Sequence, residues 1–155
     1  MLAFSTSSSA ATLPVTMERC EDHLGVSKEV SSFVLPLGAT INMDGTSLYQ
    51  AVGAVFIAQD YGIPLDLPAQ LTIVLTATLA SIGAAAVPGA GMVMLVIVLG
   101  AIGVPVEGLA LIFGVDRILD MMRTVVNVTG DATVATVVAA TEGQLIPVSD
   151  AELMS

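Results

Sequence analysis

The sequence is poor in charge, in basic residues above all, and in cysteine. Only 12% of its 155 residues are charged, and 4 Lys and Arg face 14 Asp and Glu. So few basic side chains cannot cover a run of phosphates, which excludes a nucleic-acid partner. Nor can they orient a membrane protein through loop charge. Cys20 is the single cysteine, so no intrachain disulfide forms. The opening residues, MLAFSTSSSAATLP, lack a basic stretch and a long apolar run, and so are not a secretory signal. They read as a chain entered midway through an element. His23 lies in the polar loop Cys20–Lys28 with no second His or Cys at ligand spacing, so it is expected to be solvated rather than metal-bound.

What is present is apolar. Hydrophobic residues make up 55% of the chain and the mean hydropathy is +0.91. Soluble domains carry roughly a quarter charged residues, so the deficit points to a membrane protein. Part of the net charge of −10 falls in Glu18–Glu29 and Glu142–Glu152, where it solvates the exterior.

Inside one apolar segment, Asp116, Asp120, Arg123, Asn127 and Asp131 are spaced by four, three, four and four residues. At about 100° per residue they share one helix face, within about 80°. The rest of the segment is mostly Ile, Leu, Met, Val, Ala and Thr. A buried helix with one polar stripe is therefore predicted over 108–140.

Upstream, residues 30–58 exceed the roughly 20 needed to cross a bilayer. Their centre, Pro36 to Thr46, holds Pro, two Gly, Asn and Asp, all poor helix formers. Two half-helices joined by an unwound stretch are expected. Lipid cannot satisfy freed carbonyls, so such a break needs a protein-lined or watery cavity. The bland alternative is a kinked core helix with a satisfied Asp44. Residues 70–102 form two short apolar arms around Gly83–Gly91. At roughly 1.5 Å per residue neither arm spans about 30 Å of hydrocarbon, which describes a re-entrant hairpin. Gly89-Ala90-Gly91 resembles part of a nucleotide loop, but no third Gly and no preceding strand complete it. The serine cluster Ser5–Ser9 reads either as a flexible linker or as another tip. Residues 141–155 form an acidic tail expected to be poorly ordered.

Broken helices suit transporters. Half-helix N-termini aim N–H groups at anionic substrate groups, and unwound carbonyls coordinate Na⁺. Arg123 offers a planar fork to a carboxylate, and Asp120 suits an ammonium. Asp131 and Asn127 offer hard oxygens to a monovalent cation. The competing reading of the stripe is an internal ion-pair ladder, Asp116–Arg123 or Asp120–Arg123. Asp116 has only Arg117 as an evident companion. An intramembrane enzyme using Asp116 and Asp120 as an acid/base or Mg²⁺ pair is a second class of reading, and a non-transporting membrane fragment a third.

Ser7-Ser8-Ser9 through Leu13-Pro14, Asn42-Met43-Asp44-Gly45-Thr46, Ser81-Ile82-Gly83 through Gly91, and Asp120 through Asp131 together resemble the dicarboxylate/amino acid:cation symporters, the glutamate transporter family. The resemblance covers roughly residues 5–140, with four motifs in order. It implies an all-α membrane protein with broken transmembrane helices and re-entrant hairpins, here part of a transport domain. Residues 1–22 would be the tip and second arm of the first hairpin, 30–58 the broken transmembrane helix, 70–102 the second hairpin, 108–140 the striped transmembrane helix, and 141–155 the tail. It implies no enzyme and no organic cofactor, but symport of an acidic amino acid or dicarboxylate with Na⁺, a proton being a further candidate ion.

Substrate would touch Ser7, Ser8, Ser9, Thr46, the backbone of Val87, Pro88, Gly89, Ala90 and Gly91, and Asp120, Arg123, Thr124 and Asn127. One Na⁺ would sit among carbonyls of Gly38, Asn42 and Asn127 and the Asp131 carboxylate. A second would use carbonyls of Thr40, Met43, Ser81, Ile82 and Ala84, and Asp44 would serve a further site. Lipid, a homotrimer and six preceding scaffold helices are the implied partners, in a multi-pass protein of the cell (inner) membrane. The chain lacks those helices, so a fragment or truncated frame that does not transport alone is expected. It also departs from the family: archaeal members carry Arg at Ser7 and animal members Arg at Met121. Here Asp120 lacks that neighbour, and Ala86 stands where many members have Gly.

Overall fold

The computed structural model describes residues 1–146, and the regular structure among these is helical apart from one isolated bridge. The helices are α1 (Leu2–Thr6), α2 (Ser9–Leu24), α3 (Lys28–Ile41), α4 (Asp44–Asp60), α5 (Leu67–Ile82), α6 (Ala90–Ala101), α7 (Ala110–Phe113) and α8 (Asp116–Thr141), with a 3₁₀ turn at Val106–Leu109. Among the described residues no helix is long and apolar enough to cross a membrane. The tail residues 147–155 lie outside the described residues.

Local signals set the helix ends. Ser8, Ser27 and Asp66 each accept a backbone N–H from their own helix through the side chain, capping α2, α3 and α5. Ser8 therefore starts a helix, and the flexible-linker reading of Ser5–Ser9 falls. Gly25, at φ 70°, ends α2 in the left-handed region that only glycine adopts freely, and Val26 N–H bonds back to the Cys20 carbonyl.

The break in the second segment is narrower than Pro36–Thr46. α3 runs through Pro36 and Gly38 to Ile41, and only Asn42 and Met43 are non-helical before α4 begins at Asp44. Pro36 removes one donor but leaves the helix continuous. The predicted single helix 108–140 is also interrupted. Gly114 and Val115 separate the short α7 from α8, and Val115 has left the helical ladder with φ −111° and ψ −6°. Glycine at that point lowers the cost of the break.

The helices pack into two apolar clusters. One joins α4, α5 and α6 through Ile57, Ile73, Leu95, Val98 and Leu99. The other joins α2, α3 and α8 through Cys20, Val30, Leu35, Ala135 and Ala139. α4 also packs along α8. At one end the chain closes on itself, with Val26 and Leu145 forming an antiparallel bridge. Ile146 N–H donates to Gly25 O (2.7 Å) and Ser27 Oγ–H to Gln144 Oε1 (2.6 Å).

Candidate functional site where three helix breaks meet α8

Three interruptions lie against the middle of α8: Ser7-Ser8 between α1 and α2, Asn42-Met43 between α3 and α4, and Gly83–Gly89 between α5 and α6. Facing them are Asp120, Arg123, Thr124, Asn127 and Asp131, all buried on one side of α8. Asp116, at the start of the stripe, has a different partner. Tyr49 donates its hydroxyl to Asp116 Oδ1 (2.7 Å), displacing Arg117 as the expected companion. The sequence signal for this pair is weak, because a tyrosine in an apolar helix needs a partner but does not name it.

α8 satisfies the start of α4. The first N–H groups of a helix have no intrahelical acceptor. Gly45 N–H donates to Asn127 Oδ1 at 2.8 Å and Thr46 N–H to the same oxygen at 3.3 Å. The Asn127 amide then donates to Thr46 Oγ (3.2 Å) and more weakly to Met43 Sδ (3.7 Å). Such close approach needs a glycine. A Cβ on Gly45 would strike the Arg123 carbonyl and come within 3.0 Å of Val126 Cβ.

Arg123 ties the elements together. Its guanidinium pairs with Asp120 Oδ1, with the Nε–H at 2.9 Å, and its Nη1–H donates to Thr46 Oγ at 2.8 Å. So the Asp120–Arg123 ion pair is present, and Asp116 is not part of a ladder with Arg123. Asp120 Oδ2 accepts from Gly89 N–H (3.0 Å), which brings the α5–α6 turn onto α8. Gly91 packs directly on the arginine, for a Cβ there would lie 3.2 Å from Arg123 Nε and from Tyr49 Cδ1. Thr124 is buried and bonds its own helix at Asp120 O (3.0 Å).

From the other side, Ser7, Ser8 and Ser9 are all buried. Ser7 takes φ 50°, unusual for a residue with a Cβ, and turns the chain from α1 into α2. Ser8 Oγ–H reaches the Ala86 carbonyl at 2.7 Å. Val87 and Pro88 are exposed, and Ala90 is half-buried. Among the described residues, buried polar atoms without a protein partner occur in three side chains: the Ser7 hydroxyl, both amide atoms of Gln50, and Nδ1 of His23.

The oxygen-rich positions form two groups. Asn42 Nδ2–H donates to Asp131 Oδ1 (3.0 Å), and a Cβ on Gly38 would fall 2.6 Å from that oxygen. Gly38, Asn42 and Asp131 are thus one cluster, with Asn127 one turn away on α8. Asp44 approaches the same region of α8, since a Cβ on Gly130 would lie 2.7 Å from Asp44 Oδ2. Met43, Asp44, Ser81 and Ile82 line a groove of about 480 Å³ between α4 and α5. Thr40 and Ala84 are not among its lining residues. Because α3 stops at Ile41, the carbonyls of Ala39, Thr40 and Ile41 have no intrahelical N–H to accept, whereas Gly38 O accepts from Asn42 N–H (2.8 Å).

Comparison with known proteins agrees with this architecture. The sodium:dicarboxylate symporter family model matches residues 1–141. The proton/sodium-glutamate symport protein of Bacillus subtilis is 52% identical over 155 residues, all of this chain and 36% of that protein. Excitatory amino acid transporter 2 of Mus musculus is 58% identical over 130 residues, 84% of this chain and 23% of the transporter. An excitatory amino acid transporter of Caenorhabditis elegans is 56% identical over 136 residues, 88% of this chain and 27% of that protein. The chain belongs to the sodium:dicarboxylate symporter family, one of symporters rather than enzymes. It spans between about a quarter and about a third of the length of these relatives.

Proposed function

We propose that this chain is part of the transport domain of a multi-pass carrier in the cell (inner) membrane, moving an acidic amino acid or dicarboxylate with Na⁺. One arrangement carries the reading: three helix breaks converge on a buried face holding one guanidinium, two carboxylates and one amide. Irregular backbone at membrane depth persists where it lines a cavity, and such half-helix ends serve as ion and substrate sites. Residues 1–22 and 70–102 act as re-entrant hairpins, 30–58 as a broken transmembrane helix, and 108–140 as the striped transmembrane segment with its interruption at Gly114.

Arg123 receives a substrate carboxylate, for which it exchanges its bond to Thr46 or Asp120. Asp120 receives an ammonium. Thr46, Thr124, Asn127, Ser7, Ser8, Ser9 and the Val87–Gly91 backbone complete the enclosure. Na⁺ is cargo, held by Gly38, Asn42 and Asn127 carbonyls with the Asp131 carboxylate. A second Na⁺ uses carbonyls of Thr40, Met43, Ser81, Ile82 and Ala84, and Asp44 serves a further site. Hard oxygens without nitrogen or sulfur ligands suit an alkali cation. The names of relatives that include glutamate and sodium support the same substrate and ion, and that of the Bacillus relative supports a proton as a further coupling ion. Scaffold helices preceding this segment, surrounding lipid and a homotrimer complete the full-length carrier.

The test is uptake of radiolabelled aspartate and succinate by the full-length carrier in liposomes under a sodium gradient. Sodium-dependent uptake is expected, and Arg123→Cys abolishes it for acidic substrates while the protein remains folded. Unchanged acidic-substrate uptake in Arg123→Cys overturns the assignment.

A further inference from the structure

The polar face of α8 and the start of α4 carry four carboxylates, Asp44, Asp116, Asp120 and Asp131, against the single buried guanidinium of Arg123. Three of them are compensated. Asp120 pairs with Arg123 and also accepts from Gly89 N–H (3.0 Å). Asp131 accepts from the Asn42 amide (3.0 Å), and Asp131 and Asp44 lie among the oxygens that the transport reading gives to Na⁺. Asp116 is the exception. Its partner is a neutral phenol, the Tyr49 hydroxyl at 2.7 Å. Among the described residues the one ion pair is Asp120–Arg123. Arg117 follows Asp116 directly, but side chains one residue apart on a helix do not face each other.

The surroundings of Asp116 suit a group that changes charge. The charged groups around the Tyr49 hydroxyl are Asp116, Asp120 and Arg123, all on α8. Of the elements packed against α8, α4 turns Tyr49 toward Asp116, and α1 and α7 carry no titratable side chain. The titratable groups of α2 and α3 lie within Glu18–Glu29, beside the other end of α8, where Val26 pairs with Leu145. The phenol proton and the free N–H groups of the first turn of α8 favour the charged form. Partial burial without a cation favours the neutral form. Neither form is locked. Asp116 is half-buried and follows the exposed break at Gly114-Val115, so it stays within reach of water.

We propose that Asp116 carries the coupled proton of this carrier, with Tyr49 as its positioning residue. The inference rests on the transport reading, and on the proton within it. The carboxylate takes one proton from water on the side where substrate enters. It returns that proton to water on the side where substrate leaves, and no other bond is made or broken. The protonated form keeps the Tyr49 bond through its carbonyl oxygen, and Asp116 then passes the hydrocarbon without an unpaired charge. The Tyr49 ring lies against Gly91, which packs on Arg123, so the proton site adjoins the proposed carboxylate site.

The full-length carrier in liposomes tests this, with external pH followed by a dye during sodium-driven aspartate uptake. The parent is expected to take up about one proton per aspartate, the capacity of one carboxylate. Asp116→Asn, a fixed neutral form, is expected to take up none. Infrared difference spectra of the purified full-length carrier between low and high pH read the same proton without transport. A protonated-carboxyl band is expected in the parent and is lost in Asp116→Asn. Tyr49→Phe is expected to move the titration midpoint of that band up by about one pH unit, a ten-fold change, because the ionised form loses the stronger bond.

Proton uptake in Asp116→Asn equal to the parent's, or a carboxyl band that survives the substitution, overturns the assignment. A parent that takes up aspartate with sodium and without a proton overturns it as well. Absence of sodium-dependent aspartate uptake in the parent overturns the transport reading instead, and the infrared band still decides whether Asp116 takes a proton.

Discussion

Tyr49 donates its hydroxyl to Asp116 across 2.7 Å, joining the middle of α4 to the first residue of α8. The same tyrosine ring lies against Gly91, so it spans the space between the α5–α6 hairpin and the polar stripe. Tyr49→Phe removes the only proton in this pair. The expected cost is about 1–2 kcal/mol, because a part-buried carboxylate loses its donor. A double-mutant cycle with Asp116→Asn, read by thermal unfolding of the full-length carrier in detergent, is expected to give a coupling energy of about 1 kcal/mol. Additive single-mutant effects count against the pair.

Asn127 caps α4 from a neighbouring helix, so its removal leaves two helix-start N–H groups without an acceptor. Asn127→Ala is expected to destabilise by about 1–3 kcal/mol. Asn127→Asp retains the acceptor oxygen and loses less. Melting temperatures of the two variants check the order.

Gly45 and Gly100 form a contrast. A Cβ at 45 meets the Arg123 carbonyl, whereas one at 100 meets nothing within 4 Å. Gly45→Ala forces α4 away from α8 at a cost of about 1–3 kcal/mol. Gly100→Ala in α6 is expected to be stabilising by about 0.5–1 kcal/mol. If both variants melt alike, the close α4–α8 approach is wrong.

Gly38 holds open the space that the Asp131 carboxylate fills. Gly38→Ala places a methyl 2.6 Å from Asp131 Oδ1 and turns the carboxylate away. The sodium concentration that half-stabilises the full-length carrier against heat is expected to rise at least about ten-fold, the equivalent of about 1.4 kcal/mol. A sodium titration that matches the parent excludes Asp131 from the cation site.

Local chemistry made much of this arrangement readable in the sequence. The polar stripe follows from spacings of three and four, and Asp120, Arg123, Thr124, Asn127 and Asp131 are buried together. The breaks at Asn42-Met43 and Gly83–Gly89 coincide with Gly, Pro and Asn, residues that weaken a helix by themselves. Long-range partners were not readable. Tyr49 and Asp116 are 67 positions apart, and Ser8 and Ala86 are 78 apart. No spacing rule links such pairs. Helix propensity alone also overstated the break around Thr46, because Asn127 supplies from α8 the acceptor that lets α4 start at Asp44. The break at Gly114-Val115 carries no such signal, because the apolar pattern continues through it.

The bridge between Val26 and Leu145 provides a fixed ruler. With Ser27 bonded to Gln144 and Ile146 to Gly25, the ends of α2, α3 and α8 form one body. Spectroscopic labels at Asp22 and Glu142 are expected to keep a constant separation whatever the α5–α6 turn does. Distances measured from either label to position 87 would then report the turn alone.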